Sequence, residues 1–196
     1  MVKSPRARFL LAATPLLLGL LLAGCSDDEP TASRAVPDSS HTPTGTSSVT
    51  PAGALLPPMP ETAREATPAG AEAFVGHWVD VLNASTRLGE SAELRRLGPD
   101  CVVCAKLADG IEGLAAAGGQ VTGEGWLVRR TALQPRPTAQ STAFVVTVLR
   151  RPEAVVPSTG AEPQYYEGGD ERYLMRVARS GDEWRLVELA RMPDAA

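Results

Sequence analysis

Apolar residues return at helical spacing after Thr67: Phe74, Trp78, Val81, Leu82 and Ser85 fall on one face of a predicted helix. Thr67 followed by Pro68 is a helix start, an N-cap hydroxyl with proline at the first helical position. Gly89 stops that helix near Leu88. Ser91 is expected to cap a short second helix carrying Leu94 and Leu97, which Gly98-Pro99 ends. Asp100 is expected to cap a third, with Cys104, Leu107, Ile111 and Leu114 as its apolar stripe and Gly118-Gly119 closing it. The period then changes to alternation. Trp126–Leu133 and Ala143–Arg150 read as strands, and Arg172–Ala178 with Glu183–Arg191 as a hairpin turning at Arg179-Ser180-Gly181-Asp182. Gly160–Gly169, with Tyr165-Tyr166 inside it, reads as a polar loop.

This order predicts an α+β domain, with three N-terminal helices packed on a curved antiparallel sheet of about four strands. Upstream, the segment Leu55-Leu56-Pro57-Pro58-Met59-Pro60 combines prolines that hold an extended chain with apolar side chains to bury. It is expected to lie ordered against the domain, which places the folded part at residues 55–192.

What precedes the domain is different in kind. Lys3, Arg6 and Arg8 are followed by the apolar run Phe9–Ala23 and then Leu22-Ala23-Gly24-Cys25. The run is shorter than the ~20 residues of a spanning helix and contains Pro15. This is the pattern of a bacterial lipoprotein signal peptide over residues 1–24, cut before Cys25, whose thiol takes the lipid. Residues 25–54 are rich in Ser, Thr and Pro, cannot bury enough surface to offset their ordering entropy, and read as a disordered tether. Loss of the leader takes the net charge from −4 to −7. Such a balance carries no electrostatic footprint for nucleic acid or anionic head groups, so membrane contact is expected through lipid at Cys25. The expected location is the extracytoplasmic face of the cell membrane. Two cysteines then remain, Cys101 and Cys104, an even pair in an oxidising compartment and therefore an expected disulfide.

The final strand, Gly181-Asp182 and then Glu183-Trp184-Arg185-Leu186-Val187-Glu188-Leu189, resembles the last strand of the cone-shaped nuclear transport factor two-like superfamily. Met59 to Arg191 as a whole resembles a family of uncharacterised lipoproteins from high-GC Gram-positive bacteria. The resemblance rests on a Met-Pro lead-in, an Ala-Phe helix with Asn83, a Gly/Glu turn, a Cys-x-x-Cys and a Gly-Gly, in that order. It implies the fold and no activity, because that fold hosts enzymes, binders and scaffolds alike.

Candidate chemistry is sparse. Cys101-Val102-Val103-Cys104 lacks the preceding strand of a thioredoxin-type site, so a structural disulfide between the second and third helices is the expected role. His77 and Asp80 can share a helix face as an acid-base pair, but they lie off the apolar stripe and are expected at the surface, without catalytic function. Arg129-Arg130 and Arg150-Arg151 are expected on a solvated sheet face, and Trp184 in the core, with Trp126 open between core and cavity wall. His41 and His77 with two cysteines make no metal site at recognisable spacing, and no cofactor is expected. The expected function is a binding or protein-interaction module of the envelope, taking an envelope protein or small-molecule ligand. The alternative is an envelope enzyme, a thiol oxidoreductase using Cys101 and Cys104 or a cavity enzyme using His77 and Asp80.

Overall fold

The computed structural model describes residues 56–193. The leader 1–24, the tether 25–54 with Cys25, and Leu55 lie outside the described residues. The chain divides into Met1–Thr46 and Ser47–Ala196, and everything below belongs to the second unit.

A 3-10 turn at Glu61–Arg64 leads into α1 (Pro68–Leu88), α2 (Ala92–Leu97) and α3 (Val102–Ala116). Thr67 caps α1 as its position demands: its hydroxyl accepts from the Gly70 amide at 3.0 Å, and Gly89 ends the helix in the left-handed conformation. The first turn of α1 presses on the preceding chain at Gly70, where a Cβ would come within 2.2 Å of the Glu65 carbonyl oxygen. The other two caps differ from expectation. Ser91 makes no side-chain cap bond, because its hydroxyl is drawn away to the Glu112 carboxylate on α3. The N-cap of α3 is Cys101, whose sulfur accepts from the Cys104 amide at 3.2 Å, and Asp100 sits one residue too early.

Seven strands follow among the described residues, and they form two antiparallel sheets where one was expected. The larger contains β2 (Trp126–Leu133), β3 (Ser141–Arg150), β6 (Gly169–Ser180) and β7 (Glu183–Arg191) in the order β2-β3-β6-β7. The smaller, in the order β1-β4-β5, uses β1 (Gln120–Gly123), β4 (Glu153–Val156) and β5 (Gln164–Tyr166). Pro152 explains the division. It has no amide hydrogen to continue a ladder, so the chain leaves β3 at Arg150 and begins a new pairing at Glu153. β5 falls inside the stretch expected to be loop.

Two bulges curve the larger sheet, since an extra residue bends its strand and raises the local twist. Pairing shifts between Val128 and Arg130 on β2, leaving Arg129 extra. It shifts again opposite Arg176/Val177, where Val187 on β7 is extra. The second bulge changes which residues of β7 point inward: Trp184 and Leu186 alternate, and beyond Val187 the buried position is Leu189.

The core lies between α1 and the inner face of the larger sheet. Phe74, Trp78, Val81 and Leu82 of the expected stripe are buried there against Phe144, Val146, Met175, Val177, Trp184 and Leu186. Met59 packs against this cluster from outside, and Ala63 of the 3-10 turn belongs to it. The Trp184 indole nitrogen donates to the Glu65 carbonyl at 2.8 Å, tying the last strand to the chain before α1. Cys101 and Cys104 form a disulfide, with both residues in the core; it closes the first turn of α3, from N-cap to third helical residue, rather than joining α2 to α3 as expected. Among the described residues no helix is long and apolar enough to cross a membrane.

Candidate functional site

Inward-facing residues on three neighbouring strands run apolar for most of their length and each end on a charge. On β3 the series is Phe144, Val146, Val148, Arg150; on β6, read towards the same end, it is Val177, Met175, Tyr173, Glu171. On β7 the series after the bulge is Leu189 and then Arg191. The three charged ends meet. Arg150 Nη1 stands 3.6 Å from Glu171 Oε1, and Arg191 Nη2 stands 3.5 Å from the same oxygen. Glu153, immediately after Pro152 and the first residue of β4, takes a hydrogen bond from Arg150 Nη2.

Beneath this charged end lies a cavity of about 340 Å3. α1 supplies Leu82, Asn83, Thr86 and Arg87 to its wall, and α3 supplies Val103, Leu107 and Ile111, one residue per turn along one face. The sheets supply Val121, Trp126, Arg150, Glu153, Tyr173 and Leu189. Most of that wall is apolar. Trp126 and Tyr173 stack with centroids 4.9 Å apart, forming one aromatic side.

The polar groups at the cavity are largely committed to one another. Burial opposes charge on Arg150, but the hydrogen bond to Glu153 and the charges of Glu153 and Glu171 prevail and hold its pKa above the ordinary value. Burial pushes the Tyr173 phenol well above its ordinary value, and the hydrogen bond it donates to Glu171 adds to the rise, so the hydroxyl stays neutral. Asn83 holds the start of β2 with both ends of its amide: Nδ2 donates to the Trp126 carbonyl and Oδ1 accepts from the Trp126 amide, each at 2.8 Å. Thr86 donates to the Leu82 carbonyl at 2.9 Å.

Two expectations need correction. His77 is not at the surface: it is 4 % exposed, while Asp80 three residues on is exposed. The apolar stripe is only part of what α1 buries, because Ala71, Val75 and Val79 on its other flank are also covered. α2 folds back over that flank, bringing Glu93 and Arg96 to His77. Neither His77 nor Asp80 lines the cavity. Arg150 is likewise not on a solvated face. Alternation from Val148 places it inside, whereas its neighbour Arg151 reaches the Glu124 carboxylate. Trp126 proves to be cavity wall, and Trp78 and Trp184 are core.

Desolvation holds the His77 imidazole below its ordinary pKa of 6.5; Asp80 and Glu93 oppose that shift and Arg96 adds to it. The unfolded chain therefore takes up this proton at a higher pH than the folded one. Stability is full above about pH 6.5 and falls as the pH drops from there towards the folded-state pKa. The slope contributed by one such group is at most about 1.4 kcal/mol per pH unit. Denaturant midpoints measured from pH 7.5 to pH 5 should fall in the unaltered chain and fall less in His77→Gln. Parallel curves for the two proteins would place a charged histidine in the folded state.

Such a fold, helices over a bulged antiparallel sheet with a cavity at its charged end, describes a class defined by shape. The family follows from the sequence: residues 46–190 match the family of unknown function DUF6318, and the chain belongs to it. No curated protein matches the sequence. Among solved structures, the intermembrane space region of the chloroplast protein ARC6 is similar, with a TM-score of 0.51 at 11% identity over 64% of this chain and 95% of that one. A Xanthomonas campestris structure described as a calcium/calmodulin dependent protein kinase II association domain aligns at a TM-score of 0.42 and 11% identity, over 66% of this chain and 91% of that one. The likeness to the chloroplast region is one of fold alone.

Proposed function

We propose that this protein is a lipid-anchored binding module on the extracytoplasmic face of the cell membrane, and that it holds a small, mainly apolar molecule. The cavity carries this reading. Its volume of about 340 Å3 lies within the range of small-molecule sites, its wall is mostly apolar, and its charged groups gather at one end. The sequence pattern of residues 1–25 supports the anchoring, and a Ser-, Thr- and Pro-rich stretch of about 30 residues is long enough to span roughly 30 Å as a random coil. The order of helices and the curved sheet favour the cone-shaped nuclear transport factor two-like class.

Thiol exchange draws no support from the disulfide, because Cys101 and Cys104 are only 2 % and 1 % exposed and a partner thiolate must reach a sulfur. Neither does acid-base catalysis by His77 and Asp80, which do not line the cavity. Two measurements test the reading. Cys25→Ser should leave a full-length precursor that incorporates no labelled fatty acid, and unchanged labelling would remove the anchor. Organic extraction of the chain purified from its own membranes should yield a small molecule by mass spectrometry. Filling the cavity with Ile111→Trp should deplete it, and an identical extract from that variant would remove the cavity as the binding site.

A further inference from the structure

We infer that the ligand is a small neutral molecule, an aliphatic body carrying one carbonyl oxygen that accepts a hydrogen bond from Arg150 Nη1. The inference rests on the cavity-binding reading above and adds the ligand's chemistry to it. Size follows from the volume of about 340 Å3, at the lower end of small-molecule sites.

Polarity comes from accounting for the donors and acceptors in the wall. The Asn83 amide is engaged at both ends by the Trp126 backbone. The Thr86 and Tyr173 hydroxyl hydrogens are given to Leu82 and Glu171. Arg150 Nη2 is given to Glu153. Arg150 Nε has no partner but is fully enclosed, out of a ligand's reach, whereas Nη1 stands 3.6 Å from Glu171, too far for a hydrogen bond, and has no other acceptor among the described residues. The cavity therefore offers a donor and asks for an acceptor.

Charge decides which acceptor. Arg150 is outnumbered by Glu153 and Glu171, whose side chains are each 13 % exposed, because Arg191 is 61 % exposed and its charge is screened by water. A carboxylate brought to Nη1 would face Glu153 and Glu171 across a partly desolvated site, where like charges repel strongly. Arg87 offers no compensation, since it is exposed and its charge is screened by water. A carbonyl oxygen takes the hydrogen bond without adding charge.

The test uses the full chain in phosphatidylcholine nanodiscs, with nanodiscs carrying Ile111→Trp as the blank for partition into lipid. Leu107→Phe serves as a second filler should Ile111→Trp not match the thermal midpoint of the unaltered chain. Three probes of equal chain length are titrated calorimetrically: 2-nonanone, nonane and nonanoate. The ketone should bind about tenfold or more tighter than either of the others, the ratio a hydrogen bond to a charged donor supplies. Arg150→Met should bring ketone and alkane together while keeping the affinity for the alkane. Equal binding of ketone and alkane in the unaltered chain, or nonanoate binding tightest, overturns the assignment of ligand class and leaves the cavity as a binding site. No probe binding above the blank removes the cavity reading as well. The ranking on the unaltered chain decides the matter whether or not Arg150→Met folds.

Discussion

Trp78→Ala should lower stability by about 3–5 kcal/mol, the loss that follows truncation of a large aromatic in a packed core. Trp78 is fully buried at the centre of α1, among Phe74, Val81 and the inner face of the larger sheet. The surrounding elements are held by their own ladders and caps, so they can close only part of the space that alanine leaves. Against a typical total of about 5–15 kcal/mol, such a loss removes a large share of the stability. Trp78→Phe should cost much less than its change in volume suggests. The indole nitrogen has no hydrogen-bond partner among the described residues, and removing a buried unpaired donor returns about 1–3 kcal/mol. Denaturant midpoints of the two variants measure the difference. A Trp78→Ala protein within about 1 kcal/mol of the unaltered chain would mean that α1 is not seated on the sheet as described.

Asn83→Ala should cost about 2 kcal/mol, because it strips partners from both the amide and the carbonyl of Trp126. Each unpaired buried group costs about 1–3 kcal/mol, and these two are only part-buried, so the low end applies. The neighbouring Gly125→Ala should be similarly damaging for a different reason. Gly125 has a φ of 73°, and a Cβ there would come 2.3 Å from the Asn83 Oδ1. The left-handed backbone costs a residue with a Cβ roughly 1–2 kcal/mol, and displacing the Asn83 amide adds the broken clamp. The two changes should not add. Once Asn83 is alanine the obstacle is gone, and Gly125→Ala should then cost only its backbone penalty of roughly 1–2 kcal/mol. A double-mutant cycle reads this coupling. Strict additivity would show that Asn83 does not hold the start of β2. Because Trp126 is both the clamped residue and a cavity wall, the same variants should weaken ligand retention, with loss of stability and loss of binding going together.

Two families of residues separate what could be read along the chain from what could not. Thr67-Pro68 and Gly89 bound α1 correctly, and the ends of β2 and β7 fell where alternation and turn residues placed them. These signals act within a few residues: a hydroxyl reaching the third amide, a ring that presets φ, a glycine that accepts a left-handed turn. Short strands have no comparable signature. β1, β4 and β5 hold four, four and three residues, fewer than alternation needs to stand out, and they exist because the larger sheet brings their chain segments side by side. Arg150 lies between the two cases. Alternation through Phe144, Val146 and Val148 already pointed it inward, and its charge alone suggested the solvated face.

By itself, then, the chain determined its α+β composition, the bounds of its longest helix and of its last strand, the Trp78 stripe, and the pairing of Cys101 with Cys104. All of these follow from spacing, from residue-specific backbone preferences, or from there being two cysteines within reach of each other. β6 runs over Gly169–Ser180, longer at both ends than the expected Arg172–Ala178. Only the tertiary structure decided that His77 is buried, since that depends on α2 folding across the flank of α1 that carries Ala71, Val75 and Val79. It also decided that Arg150, Glu171 and Arg191 meet. They end three separate strands, and they share one site because two bulges curve the sheet and shift which side chains face inward. Whether apolar walls close into a solid core or leave a cavity depends on the fit of α1 and α3 over that curved face, a property of assembled surfaces that no single segment carries.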